Sequence, residues 1–89
     1  MDKNEILIEI DKVFDYIENI MKSENKGALK ALLDDLKRLK NKVMDDSLVN
    51  NPLKGFPRRY AEMYNDYLHP ITNVLDKMEK YVDIYLDTN

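Results

Sequence analysis

The sequence contains no cysteine and no tryptophan, and it has only two glycines, three prolines and one histidine. Without cysteine the chain can form no disulfide and carry no thiolate nucleophile or thiolate metal ligand. So little glycine and proline leaves few turns, which predicts a small number of long helices. Two glycines also exclude a glycine-rich phosphate loop and a dinucleotide fingerprint.

Long apolar segments are absent as well. The longest apolar run is three residues, far short of the roughly 20 that cross a bilayer. The first residues, Met-Asp-Lys-Asn-Glu, lack the basic start and apolar stretch of a signal peptide. We therefore expect a protein of the cytoplasm with no membrane partner.

What the chain does have is an even mixture of apolar and charged residues. Of its 89 residues, 44% are hydrophobic and 35% are charged, with a net charge of −3. This composition is ordinary for a folded helical protein, and the length suits one core. We expect a single helical domain over residues 1–89.

Two helices are predicted in the first half. The first runs from Lys3 to about Lys22, with Asp2 or Asn4 as its N-cap. Its apolar stripe at 4-3 spacing consists of Ile6, Ile10, Val13, Ile17 and Ile20. The second runs from about Lys26 to Asp46, after a short link that makes the pair an antiparallel hairpin. Its stripe consists of Leu29, Leu32, Leu33, Leu36, Leu39 and Val43, with Met44 beside it.

Lys40 breaks the pattern of the second helix, because it lies within the leucine stripe. Such a lysine either extends its ammonium to the rim of the bundle or pairs with an acid of the first helix. Glu5 and Glu9 are the predicted partners.

A connector of about ten residues follows, broken by Asn51-Pro52 and Lys54-Gly55. It is apolar enough to fold over one end of the core, through the side chains of Leu48, Val49, Leu53 and Phe56. Pro57 then suits the first turn of a third helix.

The third helix is predicted to reach Leu86 and to be the element on which the rest of the chain packs. Its main stripe consists of Tyr60, Tyr64, Tyr67, Ile71, Val74, Met78, Tyr81 and Tyr85, with Leu68, Leu75 and Val82 beside it. Because the 4-3 phase continues through Pro70, we expect one helix kinked there rather than two. The predicted fold is an all-α, three-helix antiparallel bundle with a long, kinked third helix, and it leaves dimerisation open.

No catalytic, metal-binding or cofactor-binding motif is present. His69 is placed opposite the apolar face of the third helix, with no second histidine or cysteine to complete a metal site. Arg38, Arg58 and Arg59 do not form the set of converging cations that small helical mutases use on dicarboxylates. We predict a protein that is not an enzyme and needs no cofactor.

Positive charge is concentrated in the middle of the chain. Residues 47–59 hold three bases and no acid, and residues 25–46 hold six bases against four acids. The cations expected at one pole of the bundle are Lys37, Arg38, Lys40, Lys42, Lys54, Arg58 and Arg59. With Phe56, Tyr60 and Tyr64 among them they suit phosphates and bases. Lysines near a helix C-terminus also complement the helix dipole, so an ordinary electrostatic role stays open.

Tyrosines cluster toward both ends of the predicted third helix. A helix longer than the hairpin beneath it would leave those ends uncovered, and half-exposed tyrosine is typical of protein interfaces. The predicted interface residues are Tyr81, Tyr85, Val82, Leu86, Tyr60 and Tyr64. The alternative is that these tyrosines cap the core with their hydroxyls in water.

The leading functional prediction is a small protein-interaction module, a regulator or inhibitor, which binds another protein or a second copy of itself. The first alternative is nucleic-acid or phosphate binding at the basic pole. The second is an immunity-type protein that neutralises a toxin.

Overall fold

The computed structural model of the protein describes residues 1–54 and 70–88. This part of the chain contains three α-helices, α1 (Lys3–Ser23), α2 (Lys30–Met44) and α3 (Pro70–Thr88), and a short 3-10 helix (Gly27–Leu29). No strand occurs in the two described ranges. The predicted all-α class is confirmed.

α1 forms as its sequence predicts. The Asp2 carboxylate accepts a hydrogen bond from the Glu5 amide at 2.8 Å, which satisfies one of the unpaired N–H groups of the first turn. The five residues of the predicted stripe are all buried. Ile8 is 54% exposed, as its position off the stripe requires. Tyr16, which also lies off the stripe, packs half-buried against the core.

α1 and α2 end in the same way, with a residue of positive φ directly after the C-cap residue, two positions beyond the last helical residue. Asn25 has φ 55° and Asp46 has φ 57°. The Lys26 amide then bonds the Met21 carbonyl at 3.0 Å, and the Ser47 amide bonds the Lys42 carbonyl at 2.9 Å. These are Schellman motifs, which satisfy carbonyls of the last turn.

α2 begins later than expected. A 3-10 turn occupies Gly27–Leu29, and the Leu29 amide bonds the Lys26 carbonyl at 3.0 Å, so the regular helix starts at Lys30 rather than Lys26. Within the stripe only Leu32 is less than fully covered, while Met44 is exposed rather than beside the core. The five buried residues are Leu29, Leu33, Leu36, Leu39 and Val43.

The set of apolar residues that α3 buries differs from the set predicted from the sequence. The buried residues are Ile71, Leu75, Met78, Val82 and Tyr85. Val74 and Tyr81, assigned to the main stripe from the sequence, lie at the edge of the core and are only partly buried. Leu75 and Val82, assigned beside the stripe, are fully buried.

α1 is the central element of the described structure. It packs against both α2 and α3, whereas the described residues of α2 and α3 do not pack closely against each other. The prediction that the third helix would organise the fold is therefore wrong for the described part of the chain. The part of the predicted third helix that precedes Pro70, with Phe56, Tyr60, Tyr64 and His69, lies outside the described residues, so the single kinked helix stays a prediction.

Candidate interaction surfaces

The start of α1 and the end of α2 lie together. The Lys3 ammonium donates to the Met44 carbonyl at 2.9 Å and to the Asp46 carboxylate at 3.4 Å. The first bond satisfies a carbonyl of the last turn of α2, which has no partner within the helix. Asp46 also lines a groove with Tyr85 and Leu86. The last turns of α3 thus reach the same end of the molecule.

Asn51 attaches the connector to α3. Its side-chain amide donates to the Glu79 carbonyl and to the Asp83 carboxylate, both at 2.9 Å. Its side-chain oxygen accepts a bond from the Leu53 amide, also at 2.9 Å. We call Asn51, Leu53, Glu79 and Asp83, with these bonds, the Asn51 clasp. Leu53 is fully buried. The connector is therefore held by the hydrogen bonds of Asn51 and by the packing of Leu53.

One sequence prediction fails at the end of α3. The last turns of α3 were expected to be bare, because the connector was thought to reach only the Tyr60 end of the helix. Instead Val82 is fully buried and Tyr85 is 6% exposed, both within the core, while Tyr81 and Leu86 are half-buried. The connector is bonded to the same turns through Asn51. The exposure assumed for Val82 and Tyr85 is therefore wrong. Partner binding at this end of α3 stays a prediction, and Tyr60 and Tyr64 lie outside the described residues.

Where the connector crosses α3 it forms a groove. The groove is lined by Asp46, Leu48, Val49, Tyr85 and Leu86. It continues into a shallower depression shared by Val49 and Leu86, whose other walls are Asn50, Asn51, Lys54, Asp83 and Asp87. Together they are called the connector groove here. Val49 was expected to cover the core, yet it is 81% exposed.

A second apolar depression lies between α1 and α2. Its apolar lining is Ile10, Phe14 and Leu36, and its polar lining is Asp11, Lys37 and Lys40. We call it the lysine cleft. Its volume is about 180 Å³. The Lys37 ammonium lies 5.6 Å from the centre of the Phe14 ring, within cation–π range.

Lys40 does pair with an acid of the first helix, but the acid is Asp11, at 2.9 Å, rather than Glu5 or Glu9. Asp11 is on the side of α1 that faces α2. Glu9 lies about 160° away around the helix and pairs with Lys12 at 3.6 Å. Glu9 is therefore excluded as the partner of Lys40 by the side of α1 on which it lies, not by its distance along the chain.

The predicted basic pole is interleaved with acids. Arg38 pairs with Asp35 at 3.3 Å, and Lys40 pairs with Asp11. Lys37, Lys42 and Lys54 are exposed. Arg58 and Arg59 lie outside the described residues. Lys37 and Lys40 flank the cleft on one side of α2, while Arg38 and Lys42 share the opposite side. Nucleic-acid or phosphate binding by this set stays a prediction.

Neither a metal-binding cluster nor a membrane-spanning helix occurs in the described residues. No group of three His, Asp or Glu side chains within ranges 1–54 and 70–88 is placed to hold a metal ion. No helix of those ranges has the length and apolar character needed to cross a membrane. No family model, curated protein or solved structure matches this chain.

Proposed function

We propose that the protein is a non-enzymatic protein-interaction module whose contact surface is the connector groove. The observation that carries this proposal is the 81% exposure of Val49 beside the half-buried Leu86. A lone exposed valine is ordinary, but Val49 shares a groove with the half-buried Leu48 and Leu86, so its side chain lies beside other apolar side chains in a groove that also has polar walls. The groove borders the end of α3, for which partner binding was predicted from the sequence on other grounds.

The clasp supports this proposal because it holds the connector in one position. Hydrogen bonds to Asn51 and the burial of Leu53 fix the segment on both sides of Pro52. A surface fixed before binding loses less conformational entropy when a partner arrives. The connector groove is thus suited to binding without rearrangement.

Charge around the groove indicates the chemistry of the partner. Among the described residues that line it, the carboxylates are Asp46, Asp83 and Asp87 and the cation is Lys54, while Lys3 pairs with Asp46 from outside the groove. A partner that presents an apolar side chain with basic residues near it would match both features.

We also propose that α1 runs antiparallel to both α2 and α3. The Lys3 bonds to Met44 and Asp46 support the first relation. The shared groove of Asp46 with Tyr85 and Leu86 supports the second, since Asp46 also pairs with Lys3. This arrangement brings the groove-forming ends together.

The proposal is tested by affinity purification from the native cell with three baits: the unchanged protein, Val49→Asp, and Ile8→Asp as the matched control. Ile8 is also exposed and apolar, but lies on α1 outside the groove. We expect a protein captured by the unchanged and Ile8→Asp baits to be lost with Val49→Asp. Melting curves must show that all three fold alike, and a nuclease-treated sample separates protein from nucleic-acid contacts. Equal capture by all three baits would contradict the proposal.

A further inference from the structure

We infer that the connector is bound to α3 in the way a peptide ligand is bound, and that a second segment with the same turn can take its place. We call residues Asn51–Leu53 the connector turn, and the place that holds it, marked by Glu79 and Asp83 of α3, the turn site. The turn site lies beneath the connector and is filled in the free protein. The inference therefore concerns a different surface from the open connector groove and does not depend on the proposed function.

The connector turn holds its own shape. The Asn51 side-chain oxygen accepts a bond from the Leu53 amide at 2.9 Å, and the Asn51 carbonyl accepts one from the Lys54 amide at 3.4 Å. Pro52, which lies between Asn51 and Leu53, has its φ fixed by its ring. Asparagine turns of this kind form within one short segment. The internal bonds would therefore stay with the turn if it left α3, and another segment with the same residues can form them.

The turn site needs no rearrangement to exchange one turn for another. The Asn51 amide donates to the Glu79 carbonyl and to the Asp83 carboxylate, both at 2.9 Å, and these acceptors lie one helical turn apart on α3. Because Glu79 lies inside α3, its carbonyl also accepts the helical bond from the amide four residues later. Departure of the connector turn thus breaks no bond of the helix and leaves both acceptors in place for another amide.

Few other contacts attach this segment to the helices of the described structure. Leu53 is fully buried, and Leu48 packs half-buried against the core. Between them Val49 and Asn50 are exposed, and the backbone of residues 48–50 makes no hydrogen bond with any described residue. Segments with few buried contacts open before the rest of a protein does. The connector turn can therefore leave its site while α2 and α3 stay packed on α1.

The chemistry of an outside ligand follows from the segment that now fills the site. It is a peptide turn with an asparagine two residues before a leucine, and a proline between them orders it before binding. The connector competes with such a ligand from the same chain, at an effective concentration on the order of millimolar. An outside turn should thus bind weakly to the unchanged protein and more tightly once the connector turn is weakened. Because Leu48 and Val49 line the connector groove, ligands of the groove and of the turn site would exclude each other.

The experiment uses the connector itself as the probe. A fluorescently labelled peptide of residues 47–54, Ser-Leu-Val-Asn-Asn-Pro-Leu-Lys, is titrated with the full chain up to about 1 mM, and binding is followed by anisotropy. The opened variant is Asn51→Ser with Leu53→Ser, and Asn51→Ser alone is a second variant that keeps the buried leucine. Val49→Ser with Asn50→Ser is the matched control, since it replaces one apolar residue and one asparagine outside the turn. A changed peptide, with serine at the positions of Asn51 and Leu53, tests specificity.

We expect the opened variant to bind the probe at least about tenfold more tightly than the unchanged protein and the control do, because the competing turn is gone. Asn51→Ser alone should give a smaller gain. The changed peptide should bind the opened variant at least about tenfold more weakly than the probe does. Circular dichroism checks that the helices of each variant remain folded.

Three results would overturn the inference: a folded variant of the turn that binds the probe no better than the control does, equal binding of the two peptides, or loss of the helices in both variants of the turn. The last result would show that the connector turn cannot leave while the helices stay packed. The proposed function would stand in all three cases, because its test changes Val49 and does not use the probe.

Discussion

At the scale of single residues, Asn25 and Asp46 show how this chain ends two helices without glycine. Both have φ near 55°, a conformation that costs other L-residues about 1–2 kcal/mol and is easiest for Gly, then Asn and Asp. Asn and Asp therefore form these turns at some residual cost. Gly27 lies two residues too late to take that role, and a Cβ added to it would meet nothing within 4 Å.

The first prediction is that Asn25→Gly raises the free energy of unfolding by up to about 1 kcal/mol, because glycine adopts positive φ without strain. Asn19→Gly is the matched control. Asn19 is exposed in the interior of α1, so the same change there should lower stability by roughly 0.3 kcal/mol. Urea denaturation measures both. A loss of stability in both variants would show that the strain at Asn25 is negligible.

The second prediction concerns Lys40 and Asp11. Their 2.9 Å ion pair joins two partly exposed side chains, so a double-mutant cycle with Lys40→Met and Asp11→Asn should give a coupling of about 0.2–1 kcal/mol. The same cycle with Glu9→Gln in place of Asp11→Asn should give a coupling near zero. Equal coupling energies in the two cycles would mean that Lys40 interacts with nearby negative charge in general rather than with Asp11 specifically.

At the scale of elements, α3 shows a case in which the spacing of apolar residues does not tell which of them are buried. Its apolar arc contains two 4-3 frames that share Ile71, Met78 and Tyr85. They differ only in whether Val74 and Tyr81, or Leu75 and Val82, complete the stripe. Which frame is buried depends on the side from which α1 and the connector approach, and no local pattern contains that information.

The third prediction separates these frames with one chemical change at two positions. Val82→Ala should cost about 2 kcal/mol, from two lost methyl groups and the cavity they leave in a fully buried site. Val74→Ala should cost less than about 1 kcal/mol, because Val74 is only partly buried. Chemical denaturation of the two variants decides between the frames, and a reversed order would restore the one predicted from sequence.

α1 could be predicted almost completely because its signals are local. Asp2 three residues before Glu5, and five β-branched residues at 4-3 spacing, specify its cap and buried face without reference to other elements. The Asn51 clasp could not be predicted, since Asn51 and Asp83 are 32 residues apart. Asn followed by Pro indicates a turn, but the pattern does not say to which helix the turn attaches.

The fourth prediction tests the clasp. Asn51→Asp replaces an amide that donates two hydrogen bonds with a carboxylate facing the Glu79 carbonyl and the Asp83 carboxylate. We expect a loss of about 1–3 kcal/mol and faster proteolysis within the connector. Asn50→Asp, the same change at the exposed neighbouring residue, is the control and should have little effect. Equal behaviour of the two variants would show that the clasp does not hold the connector.

At the scale of the whole molecule, the packing of α2 and α3 on α1 determines how the protein unfolds. Because α2 and α3 both pack on α1 and not on each other within the described residues, neither keeps its buried face once α1 leaves. The fifth prediction is therefore a single cooperative transition. Thermal unfolding followed by circular dichroism at 222 nm and by tyrosine fluorescence should give the same midpoint. Two separated midpoints would mean that α3 and the connector unfold independently of α1 and α2.

The clasp also makes one amide hydrogen a reporter of the connector groove. The Leu53 amide donates to the Asn51 side chain rather than to a helix, so its exchange with solvent needs only the clasp to open. Amides in the middle of α1, covered by two helices, exchange chiefly when the whole domain unfolds. The difference between these two exchange rates thus measures how often the connector leaves α3 while the rest of the protein stays folded. A ligand that binds across the groove would slow hydrogen exchange of the Leu53 amide. Exchange at this amide would therefore detect binding before a structure of the complex is known.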